Sequence, residues 1–503
     1  MIDLWSNIAL GFGVAFQPTN LLFAFIGALL GTLIGVLPGI GPTATMALLL
    51  PMTFGLPVEA SVIMLAGIYY GAQYGGSTTA ILLNLPGETS SVVTVLDGHQ
   101  MARQGRAGSA LAIAALGSLF AGSIATLFLA AFAAPMASVA LSFQSPEYTS
   151  LILFGLLVSV VLASGSVLKS IAMVVLGVAI GVIGVDITTG QFRFTFGMIE
   201  LADGIDFVPL AMGIFGIAEI VRNLENRGTL HATVEKISRL WPTGDDFHRS
   251  WPAVLRGTGL GSLLGVLPGG GATLSSFASY SLEKKVNADP SRFGKGAVEG
   301  VAGPESANNA AAQTSFIPLL TLGLPTNAVM ALLVGAFIIQ GVQPGPMMLQ
   351  QQPNLFWGLI ASMWIGNLML VVINLPLIGV WVRLLSIRYD FLFPAILMFC
   401  AIGAYSLNNS AFDIFVMIGF GLVGYLFMKL GCEPAPLLLG FVLGPMLEEN
   451  VRRAMLLSRG DPMIFLERPI SLTILVALAL TLAAMLLPAL RRRRKEAFVE
   501  EEA

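Results

Sequence analysis

The chain has 503 residues, 55% hydrophobic and 11% charged, with a net charge of −3 and a mean hydropathy of +0.83. Soluble domains carry about 25% charged residues, so the composition excludes a soluble globular domain and points to a polytopic membrane protein. The net charge says little about partners, its distribution more, and no nucleic-acid partner is expected. Cys400 and Cys432 both lie in apolar stretches without metal-ligand spacing, so they read as small core residues rather than as a disulfide or a metal site.

The N-terminus, MIDLWSNIAL, has no basic region ahead of its apolar part, and no cleavable signal peptide is expected. Residues 1–20 form an N-terminal segment, and the first half of the chain follows at 21–225. Segments 109–134, 148–164, 168–185, 355–380, 411–430 and 470–490 each offer about the 20 apolar residues that cross a bilayer. Basic residues cluster at Arg103 and Arg106, through Arg222–Arg256, at Lys284–Lys295, at Arg383 and Arg388, at Arg452 and Arg453, and in the tail RRRRK. By the positive-inside rule these stretches are cytoplasmic, although a single span at 470–490 with RRRRK inside would put Arg452 and Arg453 outside. The stretches 135–147 and 186–206 are then external. His99 lies among the first basic residues and reads as a loop residue rather than a proton relay. Residues 226–250 form a cytoplasmic linker, and 251–450 form the second half. A terminal membrane region (451–490) and a cytoplasmic tail (491–503) complete the chain. Residues 434–450 read equally as a re-entrant segment or as a crossing. The arginine-rich tail reads as an orientation signal and lipid-headgroup contact.

The second half repeats a pattern of the first. GALLGTLIGVLPGIGPT (27–43) and GTGLGSLLGVLPGGGAT (257–273) are identical at eleven of seventeen positions. Both place Gly at every fourth position, which lets a second helix approach one face closely. Both then break on a Pro-Gly sequence. A second break follows in each half, LNLPGE (83–88) and LGLPTN (322–327). Proline removes a backbone donor and clashes with the preceding turn. The freed polar groups cannot face lipid, so they must be enclosed or line a water-filled cavity. Corresponding breaks in two halves are the sequence signature of a secondary transporter's binding site. The expected fold is therefore an all-α polytopic membrane protein with two inverted repeats, each carrying two broken, re-entrant hairpins. Plain crossings are the alternative.

The breaks nominate residues. Half-helix N-termini and small polar side chains suit a carboxylate: Gly39, Gly41, Thr43, Ser77, Thr78, Thr79, Glu88, Thr89 and Ser90 in the first half, with Gly269, Gly270, Gly271, Thr273, Thr326 and Asn327 in the second. Ser77–Thr79 also read as hydroxyls bonded within a kinked helix. Glu88 would ligate a cation, titrate, or sit in a solvated loop. Asn84 and the run GPESANNAAAQTS, with Glu305, Ser306, Asn308, Asn309, Gln313 and Thr314, offer oxygen ligands to a hard cation such as sodium. The same run reads as a polar loop feeding the next helix. No phosphate-binding loop, HExxH pattern or catalytic triad stands out, so no enzyme, cofactor or transition-metal site is expected.

At GTLIGVLPGIGPT, YYGAQYGGSTTAILLNLPGE, LDGHQMARQGRAGSAL and EGVAGPESANNAAAQTSFIPLLTLGLPTNAVMALLVGAF, the chain closely resembles the large membrane subunit of tripartite tricarboxylate transporters, the TctA family. The likeness runs from about residue 20 to about 470. It implies an inner-membrane secondary transporter of small organic carboxylates such as citrate, a symporter coupled to sodium or protons. It also implies a small four-helix membrane subunit, a periplasmic solute-binding protein, and an elevator-type movement of a transport domain against a scaffold. A passive carboxylate channel or another anion transporter is the alternative function.

Overall fold

The computed structural model describes residues 4–37, 41–162, 166–186, 189–225, 240–267, 271–384 and 389–486. Among them are 23 α-helices and one two-stranded antiparallel sheet. The chain is an all-α multi-pass membrane protein. Pro18–Val36, Thr89–Ala140, Phe207–Glu225, Pro353–Asn374 and Ala411–Lys429 are each long and apolar enough to cross a membrane.

The first half opens with α1 (Leu4–Ala15), α2 (Pro18–Val36) and α3 (Pro42–Leu49), then α4 (Val58–Leu83) and α5 (Val92–Met101). Helices α6 (Ala107–Ala140), α7 (Ser145–Leu162) and α8 (Val167–Gly181) follow. A short ribbon, β1 (Gly184–Val185) with β2 (Phe192–Arg193), leads to α9 (Phe207–Ala211) and α10 (Ala218–Glu225). The second half opens with α11 (Gly244–Leu264), α12 (Gly271–Val286), α13 (Glu299–Thr314), α14 (Phe316–Leu322) and α15 (Ala328–Ile339). Next come α16 (Met348–Gln351), α17 (Pro353–Asn374), α18 (Ile378–Leu384), α19 (Tyr389–Asn408) and α20 (Ala411–Lys429). The last are α21 (Ala435–Leu457), α22 (Ile464–Glu467) and α23 (Pro469–Leu486).

The glycine stripes do the same work twice. A Cβ on Gly27, Gly31 or Gly35 of α2 would lie 2.3, 2.5 or 2.4 Å from the carbonyl oxygens of Met64, Ile68 and Ala72 on α4. On Gly257, Gly261 or Gly265 of α11 it would lie 2.3, 2.2 or 2.4 Å from those of Gly303, Ala307 and Ala311 on α13. Only glycine permits contact this close. Residue numbers rise together in both lists, so α2 runs parallel to α4, and α11 to α13. Two consecutive long helices can be parallel only if the chain between them turns back. The helix α3 that follows α2, and α12 that follows α11, make those returns. Residues 84–88 and 323–327 are non-helical.

Helix α4 also meets the segment from α13 to the start of α15. Ser77 Oγ is 2.5 Å from Glu305 Oε2, whereas Tyr69 OH is 3.4 Å from Asn327 Nδ2. Helix α4 therefore runs antiparallel to the α13–α14 pair. Every residue of α4 from Ala60 to Leu83 is buried, and so is every residue of α13. Glycine, alanine and serine let other helices close around α13, despite its few large apolar side chains.

Several expectations change at the level of elements. The run 303–315 is the enclosed helix α13 rather than a loop. His99 lies on α5, its Nδ1 3.1 Å from the carbonyl of Ile81, rather than in a turn. The single span expected at 355–380 divides at Pro376 into α17 and α18, because proline withdraws a donor from the ladder. Residues 434–450 belong to one continuous helix, α21, packed on α7 and α8. The ribbon at 184–193 was legible in no hydropathy pattern.

Overpacking a tight contact costs about 1–3 kcal/mol. Gly261→Val is therefore expected to lower the thermal unfolding midpoint of the purified protein. Gly259→Val serves as the control, since a Cβ there meets nothing within 4 Å and should change stability by less than about 0.5 kcal/mol.

Candidate functional site

Gly87, in the second break, packs on the end of α2 and on α4: its Cβ would lie 2.2 Å from Gly35 O and 2.6 Å from Gly76 Cα. Thr79 Oγ1 donates to Val36 O at 2.7 Å and ties the end of α2 to α4. In the second half, a Cβ on Gly271 would lie 3.6 Å from Asn327 Nδ2. The halves then meet tip to tip, with Thr89 Oγ1 3.0 Å from Thr273 Oγ1.

The second breaks share a backbone design. Asn84 (φ 60°) and Gly323 (φ 72°) end α4 and α14 in left-handed conformation, where Asn and Gly are the tolerated residues. Four residues later, Glu88 (φ −150°, ψ 168°) and Asn327 (φ −152°, ψ 176°) both occupy helix N-cap positions. Asn327 Oδ1 accepts from Met330 N at 2.9 Å, and the Glu88 N–H donates to Ser91 Oγ at 3.3 Å. Asn84 is exposed and serves the turn, away from the buried polar residues with which the sequence grouped it.

Two carboxylates, Glu88 in the second break and Glu305 on α13, are buried nearby. Glu88 is buried against Gly76, accepts from Ser90 Oγ, and sits beside Gln73, whose Oε1 is 2.8 Å from that hydroxyl. Glu305 is wholly buried and accepts from Ser77 Oγ at 2.5 Å, from Thr94 Oγ1, and from Asn308 Nδ2 at 3.5 Å. Its backbone carbonyl accepts from Ser118 Oγ and from Asn309 Nδ2, at 3.4 and 3.0 Å. No described ion pair includes either carboxylate. Other buried acids are treated differently. Asp246 pairs with Arg106 (2.5 Å), Glu299 with Arg249 (2.9 Å) and Glu283 with Arg256 (2.6 Å). Asp97 accepts from the N–H groups of Gly296 and Ala297, both at 2.8 Å, and from Tyr280 OH at 2.9 Å. Removing a charge from water without a counter-charge costs several kcal/mol; Glu88 and Glu305 share this lack of a described ion pair with Asp413, which accepts from Asn408 Nδ2 at 2.9 Å.

The remaining nominees divide. Gly41 is the N-cap of α3 without a side-chain cap bond, and Thr43 is half-buried in the turn that follows. Thr78 and Thr314 bond back to the carbonyls of Tyr74 and Ala310, at 3.4 and 3.1 Å. The Ser306 and Thr326 hydroxyls and the Gln313 amide are buried without a hydrogen-bond partner. Gly39, Gly269 and Gly270 lie outside the described residues. Sequence reasoning missed Gln73, Tyr69, Thr94 and Ser118. Gln73 had a signal, since it sits one helical turn before Ser77. The other three enter through tertiary contact.

A model described as the tripartite tricarboxylate transporter TctA family matches residues 21–439. Two Agrobacterium vitis proteins are similar to this chain. One, described as an uncharacterized 52.8 kDa protein in the TAR-I ttuC' 3' region, is 61% identical over 502 residues and is covered, like this chain, to 100%. The other, described as an uncharacterized protein in the TAR-II ttuC' 3' region, is 62% identical over 242 residues, 48% of this chain and 100% of the relative. No solved structure matches.

The tip-to-tip contact can be tested directly. In a Cys400→Ser, Cys432→Ser background, Thr89→Cys with Thr273→Cys is expected to form a disulfide under mild oxidation, read as loss of both thiols to maleimide–polyethylene glycol. Thiols that persist under oxidation would place the tips apart.

Proposed function

Because the chain belongs to the tripartite tricarboxylate transporter TctA family, we propose that it is the large permease subunit of a cation-coupled system taking up small organic carboxylates across the bacterial inner membrane. The family is one of transporters rather than enzymes. Its tripartite make-up implies a small membrane subunit and a periplasmic binding protein as partners, and the small subunit is proposed to have four helices. The C-terminus is assigned to the cytoplasm.

One observation carries the reading: segments next to the breaks of both halves meet at Thr89 and Thr273, beside Glu88, and Glu88 and Glu305 have no described basic partner. A membrane protein keeps such groups where a ligand or ion satisfies them. The substrate carboxylate is assigned to the tips, among Thr89, Thr273, Thr43, Asn327, Gly41 and Gly271, with Gly39, Gly269 and Gly270 nominated by the sequence alone. There, hydroxyls and helix N-termini offer donors. Glu88 faces the same region but repels an anion, so it is reassigned from the substrate to the coupling cation, together with Glu305. The coupling ion is proposed to be sodium, with a proton as the alternative. Neutralising these carboxylates as the substrate binds would link the two cargoes.

The antiparallel run of α4 against α13–α14 supports inverted repeats. The shared backbone of Asn84–Glu88 and Gly323–Asn327 supports a common origin for the second hairpins. An elevator movement of these hairpins against the remaining helices is the transport cycle that such a unit would perform.

Reconstituted with its partner subunits, the protein is expected to accumulate radiolabelled citrate or dicarboxylates against a gradient when an inward cation gradient is imposed. Accumulation should collapse with an ionophore. Flux that only equilibrates would identify a passive channel instead. Thr89→Val and Thr273→Val should each raise the half-saturating substrate concentration about ten-fold, the loss of one hydrogen bond to a charged group.

A further inference from the structure

Helices α5 and α12 come from opposite halves, and each begins at a tip. Thr89 lies in the single 3-10 turn (Thr89–Ser91) that runs straight into α5, and Thr273 is in the first turn of α12. The two helices touch again further along, where Tyr280 OH of α12 donates to Asp97 Oδ2 of α5 at 2.9 Å. We infer that Asp97 and Tyr280 are positioning residues for the tips: their bond holds α12 in one register on α5 and keeps the Thr89 and Thr273 hydroxyls side by side for one substrate carboxylate. The inference rests on the substrate reading of the tips and assigns the residues that set the gap between them.

Both partners of this bond are themselves fixed. Asp97 is wholly buried. Its Oδ1 accepts from Gly296 N and Ala297 N, both at 2.8 Å, and its Oδ2 is turned to the tyrosine. Gly300 makes room for the carboxylate, since a Cβ there would lie 2.3 Å from Oδ2. The Tyr280 ring stands edge-on to Phe293, with centroids 5.4 Å apart, in a small apolar cluster that also takes in Val93 of α5 and Ala297. Apolar contact is non-directional, whereas a hydroxyl bonded to a carboxylate is strong and tied to one geometry. The bond therefore selects one register among those that the apolar cluster would allow.

Helical backbone carries that register to the tips. The two contacts come in the same order along both segments, Thr89 before Asp97 and Thr273 before Tyr280, so α5 and α12 run parallel here. From Thr273 to Tyr280 is about 10 Å of helix, and neither segment is interrupted between its two contacts. Helix α5 is held on α13 between them, where Thr94 Oγ1 donates to Glu305 Oε1. Helix α12 is then the element that would slip. A slip of one residue at Tyr280 displaces Thr273 by about 1.5 Å, enough to part hydroxyls that lie 3.0 Å apart.

Tyr280→Phe removes the hydroxyl and keeps the ring in its cluster, and Asp97→Ala removes the whole contact. Tyr280→Phe decides by itself where Asp97→Ala does not fold. Ser150→Ala, which deletes a buried hydroxyl contact to Ser471 (2.7 Å) between α7 and α23, is the control. The first readout is the rate of disulfide formation in the full chain carrying Thr89→Cys and Thr273→Cys with Cys400→Ser and Cys432→Ser, in lipid nanodiscs under limiting oxidant. The second, with native threonines and the partner subunits in vesicles, is the half-saturating concentration and maximal rate of radiolabelled citrate or dicarboxylate uptake. Tyr280→Phe is expected to slow crosslinking and to raise the half-saturating concentration, each at least about five-fold, with a maximal rate near the parent's. Ser150→Ala should leave all three values at the parent's. Unchanged crosslinking, or an unchanged half-saturating concentration in an active carrier, would overturn the positioning role and leave a structural contact only. Slowed crosslinking in a protein whose parent accumulates no carboxylate would support the register and sink the substrate reading of the tips.

Discussion

The architecture depends on backbone pressed against backbone. Where α2 crosses α4, and again where α11 crosses α13, carbonyl oxygens lie within about 2.5 Å of where a side chain would begin. In lipid there is little hydrophobic force between helices, so close packing and hydrogen bonding must hold them. The same closeness encloses the breaks. Broken helices expose N–H and C=O groups that the hydrocarbon cannot satisfy, and only tightly fitted neighbours can shield them. The stripe and the break are therefore one device: Gly35 sits at the end of the stripe, and its carbonyl packs against Gly87 of the second tip.

Charge follows a second rule. Buried acids in this chain mostly meet an arginine or a set of backbone donors, as Glu283 and Asp97 do. Glu88 and Glu305 meet only hydroxyls and carboxamides. Those groups solvate a charge without neutralising it.

Much of the fold was legible because it is written in short-range pattern. The glycine spacing, the proline positions and the repeat of both breaks gave the paired devices in order. The tips were found as well, since Thr89, Thr273 and Asn327 flank the breaks directly. Polarity misled where burial overrode it. The run at 303–315 has the composition of a surface loop, yet it forms a helix enclosed on every side, because its small residues let other helices close around it. Asn84 had the chemistry of a ligand, but its left-handed backbone makes it a cap.

By itself, then, the sequence determined that the chain belongs in a membrane, that 27–43 and 257–273 carry the same glycine spacing, and that helices end at 84–88 and 323–327. These follow from composition and local stereochemistry, which act over a few residues. Tertiary structure alone decided that α4 and α13–α14 run antiparallel, that Ser77 and Thr94 both serve Glu305, and that Asp97 meets Tyr280. Those residues lie on different helices, separated by up to 228 positions between Ser77 and Glu305. No local propensity encodes such a meeting; it arises when glycine-lined helices pack as closely as their backbones allow.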